Sequence, residues 1–312
     1  MNSAGNTGHG DAGCNPRLGV IVVNFNAREL LPECVRAVLA SEVSVELVVS
    51  DNGSSDDSLA LLRECCGEDH RLTIIENGKN LGFARGSNIG FSAVRTAPLL
   101  LFLNPDCIVG TGTLERLAAF MDATPNAGMC GCVVRDPGGT EQVASRRVIP
   151  DPWIGLARLL YLERLWPNLL AGKRLDRTDE PLPKQPVEVE AISGAFMMVR
   201  RRALEDVGLM DEGYFLHCED LDWFVRFRRA GWQVYLVPDV EVLHYKGVCS
   251  VGRTLSVLWH KHRGMTRFFR KFQFRDYPLP LSLLVILGIW LHFAVVAPAT
   301  WLRRQIGRWV GS

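Results

Sequence analysis

The carboxylates whose types and spacing could do chemistry fall in short stretches that end or begin apolar runs. In Leu101-Phe102-Leu103-Asn104-Pro105-Asp106, oxygen-bearing side chains stand at positions i and i+2 behind an apolar segment. Such residues face the same way on an extended chain, and Pro105 fixes the backbone between them. Hard oxygen donors of this kind suit Mg2+ or Mn2+, with diphosphate oxygens completing the shell. A plain Asn-Pro-Asp turn explains the same residues equally well. Farther on, Phe215-Leu216-His217-Cys218-Glu219-Asp220-Leu221-Asp222 opens an amphipathic stretch with acids. Acids complement the dipole at a helix start, which accounts for one or two of them. An aromatic and apolar approach to Glu219-Asp220 also suits a general base beside an apolar substrate face, Asp220 being kept ionised by the helix N-terminus. His244, behind the run Val240 to Leu243, is either a further metal ligand or an ordinary core or surface histidine.

Polar residues also close the earlier apolar runs. Asn24-Phe25-Asn26 follows the first, with no G-x-G-x-x-G to let a diphosphate touch a helix N-terminus. Backbone cradling of phosphate is therefore disfavoured, and a metal held by acids is the physical alternative. Asn26 read alone serves equally as a helix N-cap. Asp51, in Ser50-Asp51-Asn52-Gly53-Ser54, sits where a parallel strand ends. It could accept the ring N–H of a uracil or thymine, or simply close an Asx-turn.

The elements that must position these groups read as an α/β fold with a mainly parallel, Rossmann-like sheet flanked by helices. Strands are expected at Leu18 to Asn24, Val45 to Ser50, Leu72 to Glu76 and Leu99 to Leu103, each apolar enough for burial on both faces. A fifth is expected near Met129 to Val134. Helical spacing recurs from Leu30 to Leu39 and through Leu59, Leu62 and Cys66. Residues 135–186, rich in Pro and Arg, read as an irregular, mobile insertion. Then come a strand at Ala195 to Val199, a helix at Glu219 to Ala230 stopped by Gly231, and two strands, Gln233 to Val237 and Val240 to His244.

Charge divides the chain unevenly. Residues 253–312 hold ten Lys or Arg and one acid, leaving 25 basic against 33 acidic residues elsewhere. A local basic end points to anionic lipid or another polyanion, or is simply a solvated tail, and the remainder gives no reason to expect nucleic acid. The uncharged run Tyr277 to Leu302 is long enough to cross a bilayer, although Arg303, Arg304 and Arg308 beyond it oppose a simple crossing. Residues 251–312 are therefore expected to be a basic, amphipathic and then apolar membrane-associated segment. Residues 1–16 lack a secretory apolar core and are expected to be disordered, with the catalytic part, residues 17–250, in the cytosol. The nine cysteines form no C-x-x-C pair and read as reduced core residues.

Taken in order, Val22-Val23-Asn24-Phe25-Asn26, Ser50-Asp51-Asn52-Gly53-Ser54-Ser55-Asp56, Asn80-Leu81-Gly82-Phe83-Ala84-Arg85-Gly86-Ser87-Asn88, Leu103-Asn104-Pro105-Asp106, Ser193-Gly194-Ala195-Phe196, Phe215 to Asp220 and His244-Tyr245-Lys246-Gly247 form a pattern. Over residues 18–250 the chain resembles the inverting family 2 glycosyltransferases of the glycosyltransferase A-type fold, most closely their rhamnosyltransferase-like subgroup. The resemblance implies donor contacts at Asn24, Asp51, Arg85 and Asn88, with Asn26 and Asn104 in the same blocks. It implies a metal at Asp106 and His244, and Asp220 as catalytic base with Glu219 beside it. The family's usual Asp-x-Asp has Asn104 in its first place here, so one negative ligand is lost. The implied partners are a nucleotide-sugar donor, dTDP-rhamnose or a UDP-sugar, and a lipid-linked or polysaccharide acceptor at the cytoplasmic face of the membrane. Galactofuranose and N-acetylglucosamine remain as alternative sugars. Two other classes compete, a nucleotidyltransferase and an inactive nucleotide-sugar-binding membrane protein.

Overall fold

A computed structural model describes residues 15–143, 145–152, 177–178, 180–245, 247 and 254–310. The expected disorder of residues 1–14, the middle of the 135–186 insertion (153–176) and Lys246 lie outside the described residues.

The first half of the sheet is parallel. β1 (Leu18–Asn24), β2 (Val45–Asp51), β3 (Leu72–Glu76) and β4 (Leu99–Leu103) lie in the order β3-β2-β1-β4. Their register sets Asn24 opposite Asp51 and Val22 opposite Leu103, so the polar residues that end these strands share one edge. β1 and β4 are buried along their whole length, as their unbroken apolar runs require. The expectation fails for β3, which is the outermost strand and leaves Thr73 and Glu76 exposed.

Helices α1 (Leu30–Leu39), α2 (Ser58–Cys66) and α3 (Phe83–Ala93) connect these strands, and α4 (Thr113–Ala123) follows β4. α1 buries Leu31, Cys34, Val35 and Val38, the spacing of one helical face. α3 has no such stripe and packs by its glycines instead. A Cβ at Gly90 would stand 2.5 Å from the Ile21 side chain, and one at Gly86 2.8 Å from Val23. The helix therefore approaches β1 more closely than any side chain would allow.

The second half is mixed. β5 (Cys107–Val109), β6 (Ala127–Arg135), β7 (Arg146–Arg147), β8 (Val187–Glu188), β9 (Ala191–Ile192), β10 (Phe196–Arg200) and β11 (Gln233–His244) follow, with α5 (Arg201–Val207) and α6 (Glu219–Arg229). β10 runs antiparallel between β4 and β6, while β11 pairs parallel with β6 and antiparallel with β5. The two strands expected at 233–237 and 240–244 are one strand with a register shift between Val237 and Glu241, where Pro238 cannot donate to a ladder. The ends of the presumed insertion are built into the fold, since β7 pairs with β9 in a small second sheet. Arg146 is buried there against Glu141 and the carbonyls of Thr178 and Glu180. The free thiols of Cys34, Cys66, Cys107, Cys130, Cys132 and Cys218 are buried, and burial raises each of them.

Helices α7 (Thr254–Phe272) and α8 (Leu279–Val310) complete the chain. The basic α7 does not simply offer its charges to lipid. Arg267 and Lys271 bind Asp211, and Lys271 also reaches the fully buried Asp222 at 2.6 Å. Phe268 and Phe272 join the core cluster that holds Trp223 and Phe227. α7 is thus docked on the catalytic part by an apolar face and an ion-pair cluster. α8 is one helix through Pro298, and only 6% of its apolar window Leu279–Leu302 is buried by the rest of the chain.

Candidate active site

The end of β4 delivers Asn104 and Asp106, and the end of β11 delivers His244. They meet because β11 pairs with β5 so that His244 lies opposite Cys107, next to Asp106 in sequence. The Tyr245 amide then donates to the Asp106 carbonyl at 2.9 Å, and the Asn104 amide to the Ala195 carbonyl at 2.9 Å. In this corner His244 Nε2 is 3.1 Å from Asp106 Oδ1 and 3.4 Å from the Asn104 side-chain amide.

Gln142 fixes the state of that imidazole. Its Nε2 donates to the His244 carbonyl at 2.6 Å, and a carbonyl can only accept, so its Oε1 is left facing His244 Nδ1 at 2.8 Å. Nδ1 must then carry the proton. His244 Nε2 consequently points a lone pair, or a second proton, at the Asp106 carboxylate. A carboxylate and an imidazole lone pair at this separation repel unless a proton or a cation stands between them. The donor set therefore fits a divalent cation, with Gln142 in the outer position that orients a ligating histidine. Among the described residues no group of three or more His, Cys, Asp or Glu forms a metal cluster. The chain would supply Asp106, His244 and the Asn104 amide oxygen after rotation, and water or ligand oxygens would supply the rest, as Mg2+ commonly accepts.

Asp220 stands in the first turn of α6. The approach to it is strained, for His217 and Cys218 take φ of 68° and 71° in the left-handed region without being glycine. Gly194 passes beneath it so closely that a Cβ would lie 2.8 Å from Asp220 Oδ2. Burial alone would raise the Asp220 carboxyl. The Arg147 guanidinium on Oδ2 and the Leu221 amide on Oδ1 outweigh burial and hold it below the usual carboxylate value. Glu219 beside it is buried with Oε2 lacking a hydrogen-bond partner, and burial followed by the Asp220 charge pushes it up to about 8. Adjacent acids thus hold opposite states, Asp220 ionised and Glu219 protonated at neutral pH.

Arg147 was not among the residues that spacing pointed to. Its only sequence signal is the pair Arg146-Arg147 within a segment that reads as irregular. The structure anchors it on β7, with the guanidinium also donating to the Ile192 carbonyl at 2.8 Å.

Asn104, Asp106, Glu219, Asp220 and His244 all line one cavity of about 1530 Å³, whose wall also includes Phe25, Asn52, Asn80 and Arg147. The other expected donor contacts are not on that wall. Asp51 is buried with its acceptor positions filled by the Asn24 amide, the Ser54 hydroxyl and the amides of Gly53 and Ser54. It closes an Asx-turn, and an additional ligand N–H would have to displace one of these donors. The Asn24 Nδ2 is committed to Asp51, Ser54 and Ser58, while its buried Oδ1 has no hydrogen-bond partner. Asn26, at φ 55°, clasps the 54–55 loop through Ser54 Oγ and the Ser55 amide and caps no helix. Asn88 ties α3 to the Met210 backbone and Glu212, and Arg85 is turned toward Glu212 at 3.7 Å. These residues shape the edge beside the cavity without lining it.

Comparison with known proteins gives this geometry a family. The description "Glycosyl transferase family 2" matches residues 19–208. The chain is 28% identical over 268 residues to an N-acetylglucosaminyl-diphospho-decaprenol L-rhamnosyltransferase of Mycobacterium tuberculosis, covering 81% of this chain and 83% of that one. It is 25% identical over 236 residues to the rhamnosyltransferase WbbL of Escherichia coli K12, covering 72% and 82%. Among solved structures, the mannosyltransferase PcManGT of Pyrobaculum calidifontis, in complex with GDP-Man and Mn2+, shares the fold. Its TM-score is 0.56 at 18% identity, over 91% of this chain and 72% of that one. With its mixed, mostly parallel sheet of the glycosyltransferase A type, the chain belongs to glycosyl transferase family 2, among the rhamnosyltransferase-like glycosyltransferases that build glycans.

Proposed function

We propose that the chain transfers L-rhamnose from a nucleoside diphosphate donor, dTDP-rhamnose, to a polyprenyl-diphosphate-linked glycan at the cytoplasmic face of a membrane. Configuration inverts. The reading is carried by one observation, the Asp106–His244 pair and the Asp220 carboxylate on the wall of a single cavity. The names of the mycobacterial and enteric relatives support rhamnose over galactofuranose or N-acetylglucosamine, and the decaprenol-linked substrate named for the former supports the lipid.

In the proposed reaction the acceptor oxygen bonds to the anomeric carbon while the bond from that carbon to the diphosphate oxygen breaks. The bonding pair leaves with the nucleoside diphosphate, and the hydroxyl proton passes to Asp220. Arg147 and the Leu221 amide hold the Asp220 carboxylate ionised and oriented before the proton arrives. Asp106 and His244 would hold Mg2+ or Mn2+, whose Lewis acidity offsets charge on the leaving diphosphate. Phe25, Asn52 and Asn80 form the end of the cavity suited to a nucleoside, one aromatic face with amides beside it.

Asp220→Asn tests the base directly. The substitution keeps shape and removes proton affinity, so transfer should fall roughly 10²- to 10⁴-fold while nucleotide-sugar binding survives. Turnover within tenfold of the parent would sink the assignment. Products should be nucleoside diphosphate and glycoside, whereas pyrophosphate release would favour the nucleotidyltransferase class.

A further inference from the structure

The cavity does not end at the carboxylates. Past His217 its wall is made by α7 and α8, with Val257, Met265 and Phe269 from the former and Gly288, Ile289 and His292 from the latter. Its volume of about 1530 Å³ exceeds the roughly 300–1,000 Å³ typical of a site for one small molecule. Part of its exposed rim is apolar. Leu291 and Val295 line it and are 54% and 73% exposed, and with Leu284 and Leu287 they form one stripe along α8. That stripe belongs to the helix long and apolar enough to cross a membrane. One cavity therefore joins this apolar stripe to the carboxylates.

The wall changes character on the way. His260, stacked on Phe215 at 4.2 Å, and Lys261 form a polar neck on the same cavity wall as Arg147. Imidazole and ammonium groups at such a neck suit an anionic group joined to an apolar tail. The neck is held by close packing, because a Cβ at Gly264 would stand 2.7 Å from the His217 carbonyl. On the far side, His262 Nε2 meets His292 Nδ1 at 3.0 Å and ties α7 to α8, which keeps the channel walls in register.

We propose that this channel seats the lipid of the acceptor: an isoprenoid chain enters between α7 and α8 past Leu291 and Val295, and its diphosphate stops at His260 and Lys261, with the attached sugar toward Asp220. The inference rests on the transferase reading above and adds where the lipid lies. The occupant is identified by continuity, since one cavity joins the proposed base to the lipid-facing stripe.

The test uses the full chain in vesicles, with decaprenyl diphosphate carrying a photoreactive diazirine near its diphosphate end and adducts mapped by mass spectrometry. Adducts should fall on Met265, Gly288, Ile289 and His292. Gly288→Trp, which fills the channel, and Val295→Trp, which blocks its exposed mouth, should each cut adduct yield at least tenfold. Leu283→Trp, exposed and outside the cavity, should match the parent. Adducts confined to the outer stripe, no loss in either channel variant, or equal labelling of the same residues by a diazirine phospholipid would each overturn the proposal. Nucleotide-sugar hydrolysis by the parent is read separately. Its absence strikes the transferase reading, while the adduct map alone decides the lipid route.

Discussion

Glu219 and Asp220 are neighbours in sequence and are held in opposite protonation states by what surrounds them. Of the two acids, Arg147 hydrogen-bonds only Asp220, so the excess charge of the pair is expelled from Glu219. This has a consequence for stability. The Glu219 carboxyl lies above its ordinary value near 4.5 in the folded chain, so its contribution is fully present below about pH 4.5 and is lost as pH rises toward 8. Glu219→Gln keeps a neutral amide and removes that loss. The variant should match the parent in urea unfolding at about pH 4 and become progressively more stable than it from there to pH 8. A difference independent of pH would show that Glu219 is not the group responsible. The same scale explains why some positions could be gathered at one cavity from sequence and others could not. Asp106, Asp220 and His244 each close or open an apolar run and do line one cavity, although each alone also reads as a turn, helix-start or core residue. Asp51 does not distinguish its roles, since the Ser50-Asp51-Asn52-Gly53-Ser54 pattern that suits a base contact is also a complete Asx-turn.

At the scale of elements, α7 shows how a basic amphipathic helix can be committed inside its own protein. Lys271 spans Asp211 and the fully buried Asp222, whose other oxygen takes Arg226 at 2.6 Å. Asp211, although burial would raise it, is brought down to about 2 by Lys271, the Gly213 amide and Arg267. Lys271→Met preserves the apolar stem and leaves a buried Asp222 oxygen without its donor. Such a loss costs about 1–3 kcal/mol, and α7 should loosen first. The check is amide hydrogen exchange in α7 together with the unfolding midpoint; unchanged protection at residues 262–272 would refute the docking role. The sequence conceals this pairing because Asp211 and Lys271 are 60 positions apart and each alone reads as a solvated charge. Strands β1, β2 and β4 were legible for the opposite reason, as continuous β-branched and leucine runs have few other ways to bury themselves. α3 was illegible because it packs by Gly86 and Gly90 and so lacks the apolar stripe from which a helix is read. Arg147 was illegible because its strand is two residues long and exists only by pairing with β9.

At the scale of the whole molecule, the apolar surface of α8 is a demand that the described residues leave unmet. Its 24-residue window Leu279–Leu302 extends about 36 Å at 1.5 Å per residue, against a hydrocarbon core of roughly 30 Å. A soluble core helix of that composition would be covered by its own chain, and this one is not. The catalytic part is joined to it through α7, whose Arg263 and Arg270, at i and i+7 on one helical face, are exposed and add basic charge that suits an anionic surface. Leu287, exposed near the middle of the window and off the cavity wall, isolates the apolar contribution. Leu287→Asp should cost about 2.5–3.5 kcal/mol of insertion, or roughly 10²-fold in vesicle partition. Leu61→Asp, an equally apolar exposed site on α2, should partition like the parent. Flotation of the full chain with anionic vesicles separates these outcomes: if Leu287→Asp floats as the parent does, α8 is not what meets the bilayer, and the channel that opens along it loses its source of lipid.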